Sequence, residues 1–539
     1  MSRDEDVSTL SRLIFCVAPP LFVRIVLDNA GARGYNIRKR KTVRLCVMFE
    51  KITPEAAGVS SYAVRNFMKM LTKRQMPMHS VLMMKGDKLF AEYYWAPFDS
   101  EFCHRMYSQT KSYTAVAVGL LVEDGLVSLD APMSEYFPEK CDSPLPEYLR
   151  SQTVHEMLTM CTCQMPGNWF SDKVHDRTHY YFNNERRLHP AGTLWEYDSA
   201  GSQVLSSLVE KISGKSLFDF LNERIFSHLG TFKTAEILKT PCGDSWGDSA
   251  LVCRPRDMIS FARFVMNYGE WNGKRLMNED YLRRATSKLV DNRECAHYSA
   301  VGQGYGYQIW QTEQGGFAFN GMGSQFTICV PEKDIIFVCT GDTQGNPRAS
   351  NYIFDAFFDC VIDFAKDAPL PEDREAEAAL AEVTADLKLF CPQGATDSPF
   401  KAELDGAVYE CEENPMGITE FSFSFDGAEG GVFRYKNAQG EKELPFGVNH
   451  NVFGKFPQLG YSDGVGVLRT ENGFMYNDAV GMAWLEDKKI LLNVQIIDRY
   501  FGNVAMLFGF KNGDCYVRME KTAEDFLDEY QGRLLAHRR

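Results

Sequence analysis

The segment SQTKSYTAVAVGLLVEDG, residues 108–125, constrains the fold of this chain more than any other stretch. Its residues have helical character and are apolar on every side, so the helix must lie in the interior of a domain. Gly125 is a suitable residue to end such a helix. The fold therefore has to enclose this helix around its whole circumference.

Elements on both sides of this helix predict an α+β domain over residues 48–365. A helix with one apolar face is predicted over residues 59–72, and the runs SVLMMKG and KLFAEYYW follow it as a hairpin. A second pair of strands, joined by a tight turn, is predicted within FTICVPEKDIIFVCTGD. This order of elements favours a mostly antiparallel sheet that is completed by both ends of the domain.

The composition changes after this domain. Residues 366–394 are acidic, rich in alanine and contain proline, which predicts a linker that passes into a surface helix. Residues 395–539 alternate short β-like segments with Gly, Asn and Asp turns, which predicts a small all-β, barrel-like domain. The segment KTAEDFLDEYQGRLLA is predicted to be a closing helix. Residues 1–47 are predicted to be a poorly ordered extension or a misassigned upstream start.

Charge and cysteine content limit the partners of the protein. The 539 residues carry a formal net charge of −14, which argues against a nucleic-acid groove or an anionic membrane surface as partner. The 15 cysteines show no paired spacing, so reduced thiols in the cytoplasm are expected. The apolar run of 11 residues at 13–23 is too short to span a bilayer. The expected partner is therefore a small-molecule or peptide substrate.

Ser108 and Lys111 form an S-x-x-K motif at the start of the buried helix. Side chains three residues apart on a helix share one face and can form a hydrogen bond. Because burial disfavours the charged form of an amine, the lysine could accept the proton of the serine. The helix N-terminus adds a positive field that favours a developing oxyanion. The motif alone is short enough to occur by chance, but its position predicts a nucleophile and its activating base.

The residues around this motif resemble the nucleophile region of class C-type serine β-lactamases, penicillin-binding proteins, D-aminopeptidases and related esterases. Residues 125–133 match the pattern G-x-(V/L)-x-L-D-x-P-(V/M) of those families, and HPAGTLWEYDSAG resembles a second block of theirs. The resemblance covers residues 48–365 and implies a β-lactamase/transpeptidase-like fold. It also implies that Tyr197 is a catalytic tyrosine that relays protons and that Ser199 contacts the substrate.

A third block of these families, K-T-G or H-x-G on a strand beside the serine, corresponds to Phe319-Asn320-Gly321-Met322. Gly321 matches the small residue, whose size lets substrate lie along the strand. The N–H groups of Met322 and Ser108 would form the oxyanion hole, and Asn320 would contact the substrate. A register slip by a residue or two is the alternative. The basic first residue is absent, which argues against efficient hydrolysis of penicillins.

Three other patterns have weaker claims to function. Gly243–Gly247 reads G-x-S-x-G, but it lacks the preceding strand and following helix of a nucleophile elbow. His175 and His179 could pair on a metal if they were helical, but no third ligand is suitably spaced. Trp169 is predicted to form part of the wall of the substrate pocket. The sequence implies no metal and no organic cofactor.

The sequence therefore predicts a serine hydrolase that forms an acyl-enzyme on Ser108 and acts on an ester, an amide or a peptide that contains D-amino acids. The missing cation of the third block, together with Ser199 in place of an asparagine, favours an esterase or amidase. The alternative is a non-catalytic penicillin-binding or sensor protein with the same fold. The oligomeric state is left open.

Overall fold

The computed structural model of the protein describes residues 49–163, 169, 174–183, 189–296, 298–458, 475–498, 500–523 and 527–539. The extension predicted for residues 1–47 lies outside the described residues. The described chain forms an α+β domain followed by an all-β barrel, which confirms the predicted fold class.

The α+β domain is built on a seven-stranded sheet. Its strands and those of two smaller sheets are, in chain order, β1 (Glu50–Lys51), β2 (Met78–Lys85), β3 (Lys88–Tyr94), β4 (His104–Arg105), β5 (Glu236–Ile237), β6 (Leu251–Cys253), β7 (Glu270–Trp271), β8 (Lys274–Arg275), β9 (Trp310–Gln311), β10 (Phe317–Gly321), β11 (Gln325–Val330) and β12 (Ile335–Gly341). The order in the main sheet is β1-β3-β2-β12-β11-β10-β9.

Strands from the two ends of the domain meet at the centre of the main sheet. There β2 pairs antiparallel with β12, with Leu82 opposite Val338. All other neighbouring pairs are also antiparallel except β1 with β3. Seven of the eight residues of β2 are buried, because helices cover both faces of the sheet. The mostly antiparallel sheet completed by both ends of the domain is thus observed.

The helices of this domain are α1 (Ser61–Lys73), α2 (Thr110–Glu123), α3 (Glu147–Ser151), α4 (Val154–Leu158), α5 (Arg177–Asn183), α6 (Ser199–Ser213), α7 (Leu217–Leu221), α8 (Ser227–Leu229), α9 (Pro255–Met266), α10 (Glu279–Ala285) and α11 (Ala349–Phe357). Every residue of α2 from Thr110 to Leu121 is buried, as its apolar sequence predicts. A Cβ at Gly119 would lie 2.3 Å from the ring of Tyr281, so the glycine lets α10 approach α2 closely. This enclosure fixes the helix that follows Ser108.

The segment between the two domains packs against the first one. Its helix α12 (Arg374–Thr384) lies against α1 and buries Leu380 in the apolar cluster on that face of the sheet. The backbone N–H of Lys366 donates to the carbonyl of Gly58 over 2.9 Å. The segment thus contains the predicted helix, and one side of that helix is buried.

The C-terminal domain is a closed barrel with a short helix, α13 (Lys401–Leu404), at its start. Its strands are β13 (Val408–Cys411), β14 (Glu420–Asp426), β15 (Gly430–Asn437), β16 (Gly440–Val448), β17 (Val452–Lys455), β18 (Asn477–Glu486), β19 (Lys489–Ile497), β20 (Phe501–Lys511), β21 (Asp514–Ala523) and β22 (Gly532–Arg538). A parallel pairing of β16 with β18 closes the sheet. Buried phenylalanines such as Phe423, Phe433 and Phe508 fill the interior.

The closing helix predicted for KTAEDFLDEYQGRLLA is wrong. The segment contains the end of β21, a short 3₁₀ turn at Asp528–Tyr530 and most of β22, while residues 524–526 lie outside the described residues. In β22, Leu534 and Ala536 are buried and Arg533 and His537 are exposed, a period of two. Because β22 pairs with both β13 and β21, its place in the barrel outweighs the local helical pattern.

The barrel packs directly on the α+β domain. Trp246 and Val252 of the first domain belong to the same apolar cluster as the barrel interior. A smaller cluster joins Phe98 and Tyr107 to Ile497 and Phe501 of the barrel. Within the described part of the chain, no helix is both long enough and apolar enough to span a lipid bilayer.

Candidate active site

Ser108 lies in a 3₁₀ turn, Tyr107–Gln109, that runs directly into α2. It is the one residue between His104 and Leu121 that is not buried. Tyr107 has a φ of 47°, in the left-handed region that non-glycine residues rarely adopt. The turn therefore presents one hydroxyl to the surface from a segment that is otherwise enclosed.

Lys111 lies one helical turn beyond Ser108 and is only 2% exposed. Its Nζ is 3.0 Å from Ser108 Oγ and donates to the backbone carbonyl of Asp248 over 2.8 Å. The Nζ also lies 5.2 Å from the centre of the Tyr197 ring. The structure thus brings together the three residues that the sequence assigned to proton transfer.

Asp248 is a site residue that the sequence analysis missed. Its carboxylate lies 3.8 Å from Lys111 Nζ, and both side chains are buried. Burial raises the pKa of Asp248, while the positive charges of Lys111, Arg177 and Arg105 act in the opposite direction. The only local signal was one charged residue within the otherwise apolar or small stretch WGDSALVC. At this distance its carboxylate can stabilise a positive charge on Lys111.

The third block lies beside the nucleophile turn, at the end of β10. A Cβ at Gly321 would lie 2.1 Å from the carbonyl oxygen of Met106, so the glycine allows the strand to pack against the residues before Ser108. The sequence predicted that the small size of a glycine here would leave room for substrate. The structure shows a different reason, which is the close packing of β10 against Met106. Because β9 pairs with β10 only at Phe317 and Ala318, the end of β10 lies at an edge of the sheet.

Met322 follows β10 in the turn to β11, and 37% of it is exposed. Its carbonyl accepts a hydrogen bond from Gln325 Nε2 over 3.1 Å. Met322 and Ser108 line one cleft, and this is a requirement of the predicted oxyanion hole. The assignment of their N–H groups to that role stays a prediction.

The cleft at Ser108 has a volume of about 500 Å³. On one side Tyr197 stacks on Trp310, with ring centres 5.6 Å apart and an angle of 21° between the planes. The other walls come from Tyr298, from the end of β10 with its turn, and from a loop after β12. The described lining residues are Ser108, Tyr197, Tyr298, Trp310, Asn320, Gly321, Met322, Gly323, Thr343, Gln344, Gly345, Asn346, Pro347 and Ser350.

Tyr197 is held by the start of the next helix. Asp198 is the N-cap of α6, where its carboxylate accepts from the N–H of Gly201 over 2.8 Å and from Thr162 Oγ1 over 2.9 Å. Burial raises the pKa of Asp198 to about 6. These hydrogen bonds hold the backbone at Asp198 and thereby position the adjacent residue, Tyr197.

Two predicted substrate contacts are not among the described residues that line the cleft. Ser199 is half-buried in the first turn of α6. Trp169 is partly buried against the core, with the Arg177 guanidinium 5.1 Å from its ring centre. Their contact with substrate stays a prediction.

In the weaker patterns, Ser245 and His179 each form a hydrogen bond to an acidic side chain. Ser245, the serine of G-x-S-x-G, is buried and donates to Glu210 Oε1 over 2.6 Å. His175 is exposed, and His179 Nε2 pairs with Asp142 over 2.9 Å. Among the described residues, no group of three histidines, cysteines or acidic residues could hold a metal ion.

Comparison with known proteins connects this geometry to a family. The family model described as Beta-lactamase matches residues 63–356. The chain is 25% identical over 286 residues to a 6-aminohexanoate-dimer hydrolase of Paenarthrobacter ureafaciens, covering 48% of this chain and 70% of that protein. It is 21% identical to an uncharacterized protein of Alkalihalophilus pseudofirmus, over 51% of this chain and 87% of that one.

Among solved structures, the chain is similar to an octameric penicillin-binding protein homologue from Pyrococcus abyssi. The identity is 16% and the TM-score 0.47, over 88% of this chain and 99% of that one. The family match itself spans more than half of the chain and includes Ser108, Lys111, Tyr197 and Met322. The protein therefore belongs to the beta-lactamase family.

Proposed function

We propose that the protein is a serine hydrolase that forms an acyl-enzyme on Ser108. The observation that carries this proposal is the 3.0 Å contact between Ser108 Oγ and Lys111 Nζ, with the serine open to a cleft and the lysine buried behind it. The similarity to a protein named 6-aminohexanoate-dimer hydrolase supports the class of reaction.

The proposed reaction begins when Lys111 accepts the proton of Ser108 and the serine oxygen attacks a carbonyl carbon. The Asp248 carboxylate stabilises the resulting ammonium group from 3.8 Å. Tyr197, beside Lys111, passes the proton to the leaving group. The N–H groups of Ser108 and Met322 hold the oxyanion, and water then releases the acyl group.

The proposed substrate is an ester or an amide, including peptides that contain D-amino acids. The position of the family's third-block cation holds Phe319, a buried aromatic residue of β10. A phenylalanine offers no charge to the carboxylate of a β-lactam, which favours esters and amides over penicillins. The same substitution is the specific observation in favour of the second candidate, a sensor that is acylated but does not turn over.

The cytoplasmic location expected from the sequence is also a proposal. It is supported by the free cysteines of the described residues, which include the buried Cys253, Cys329 and Cys339. A small-molecule or peptide substrate remains the proposed partner, with neither nucleic acid nor membrane.

The proposal is tested with a fluorophosphonate probe and with p-nitrophenyl butyrate and nitrocefin. The wild type should be labelled and should hydrolyse the ester faster than nitrocefin, whereas Ser108→Ala should lose both label and turnover. Ser245→Ala is the matched control, because it removes the serine of the rival G-x-S-x-G pattern and should keep the label. An unlabelled wild type would overturn the enzyme assignment, and labelling without turnover would establish the sensor.

A further inference from the structure

A loop after β12 forms one wall of the cleft and is tied to the barrel. Thr343 to Pro347 all line the cleft. Just before them, Asp342 is 6% exposed and accepts a hydrogen bond from Asn503 Nδ2 of β20 over 2.5 Å. Gln344 Nε2 donates to Asp342 Oδ1 over 2.8 Å and to the carbonyl of Phe501 over 3.0 Å. The conformation of this cleft wall therefore depends on bonds to the barrel.

The approach of loop and barrel is close. Gly345, with a φ of 76°, has a backbone conformation that favours glycine. A Cβ there would lie 2.5 Å from Cγ2 of Thr522, which pairs with Asn503 in the adjoining strand. The loop is thus packed against the end of β21, beside the first residues of β20, without intervening space.

The same end of β20 also contacts the nucleophile turn. The N–H of Phe501 donates to the hydroxyl of Tyr107 over 3.3 Å. The buried Arg105 guanidinium lies 4.4 Å from the Tyr107 ring centre and 4.8 Å from that of Tyr500 in the barrel. Tyr107 has a positive φ and directly precedes Ser108, so these contacts act where the backbone is strained.

We propose that the start of β20, residues 501–503, is a structural part of the active site and that Asn503 is a positioning residue. Asn503 acts on bound substrate through Asp342 and Gln344, by holding the loop that lines the cleft. This inference rests on the proposed hydrolase function, because the loop positions substrate only if Ser108 reacts with one. It gives the C-terminal barrel a role in the reaction of the first domain.

Asn503→Ala should lower kcat/KM for p-nitrophenyl butyrate by about tenfold, mainly through a higher KM, because the loop lines the cleft and contributes none of the groups proposed to transfer protons. The matched control is Asn477→Ala. Asn477 Nδ2 also donates to an aspartate, Asp498, over 2.8 Å, but both residues belong to the barrel. The control should keep the kinetics of the wild type.

A second variant separates positioning from a loss of folded protein. The described partners of the Asp342 carboxyl are amides: the side chains of Asn503 and Gln344 and the backbone N–H of Gln344. Asn503→Asp places two carboxyls together, which repel each other when both are ionised and share a proton in acid. Its kcat/KM relative to the wild type should therefore recover as the pH falls from about 8 to about 5.5.

Hydrogen exchange provides a readout that does not depend on turnover. In Asn503→Ala, amides of residues 342–347 should exchange about tenfold faster than in the wild type, and those of the control should not. Unchanged kinetics and unchanged exchange in Asn503→Ala would overturn the inference. If the wild type itself is not labelled at Ser108, the hydrolase proposal fails, while the exchange data still test the anchoring of the loop.

Discussion

The contact between Ser108 and Lys111 is local, since three residues of helix bring both side chains to one face. What surrounds the pair is not local, because the buried Asp248 comes from 137 residues further along the chain. Residue-scale chemistry at this site therefore combines a pattern that can be read from the sequence with a counter-charge that cannot.

Lys111→Met should reduce ester hydrolysis by about 10³-fold, because the general base is lost. Lys111→Arg keeps the positive charge, but a guanidinium stays protonated and cannot accept the serine proton. Both variants should therefore be equally inactive in a p-nitrophenyl butyrate assay. Substantial activity in Lys111→Arg would show that the charge, rather than proton transfer, is what the site requires.

Gly321→Ala should lower both the Tm and the activity, because the new Cβ would overlap the carbonyl oxygen of Met106 beside the nucleophile turn. A cost of about 2 kcal/mol is expected from overpacking. Gly509→Ala, in a barrel strand with no atom within 4 Å of the added Cβ, is the matched control for differential scanning fluorimetry. Equal Tm values for the two variants would contradict the close approach of β10.

At the scale of elements, the start of α6 depends on a buried carboxylate. Burial raises the pKa of Asp198 to about 6, above the ordinary value of 3.8. The stability that this group contributes is therefore fully present below its unfolded-state pKa and is lost as the pH rises through about 6.

Asp198→Asn keeps an N-cap acceptor and removes this titration. The Tm of the variant minus that of the wild type should increase between about pH 4 and about pH 7.5. This increase corresponds to a relative gain of at most about 3 kcal/mol in the free energy of unfolding. Thermal unfolding of both proteins at several pH values measures this difference. The contributions of the other titrating groups cancel in it, because both proteins contain them. A difference that is constant with pH would refute the assignment.

The element that the sequence misassigned is the last one. The segment that ends in β22 has a helical pattern when read alone, yet it is needed to join β13 to β21. Pairing on both edges supplies backbone hydrogen bonds and burial that local propensity does not register. By contrast, the hairpins β2–β3 and β11–β12 were predictable, because their alternation and turns are contained in short stretches.

At the scale of the whole molecule, the two domains share apolar clusters. Trp246 packs with the barrel interior, and Phe501 packs with Phe98 and Tyr107 of the first domain. We expect one cooperative transition in scanning calorimetry rather than two, because separating the domains would expose these side chains to water. Phe501→Ala removes a fully buried ring and should split or broaden this transition. Two well-separated transitions in the wild type would contradict a core shared by the two domains.

The sequence by itself determined the buried helix α2, the pair Ser108 and Lys111, and the family blocks that contain Tyr197 and Gly321. These features depend on helical periodicity and short motifs, so their information lies within a few tens of residues. Only the tertiary structure decided that Asp248 faces Lys111 and that Asn503 of the barrel supports the cleft. Such contacts join residues that lie more than 100 positions apart in the chain, 161 in the case of Asn503 and Asp342. A local sequence pattern does not encode which distant side chains the packing of the fold will bring together.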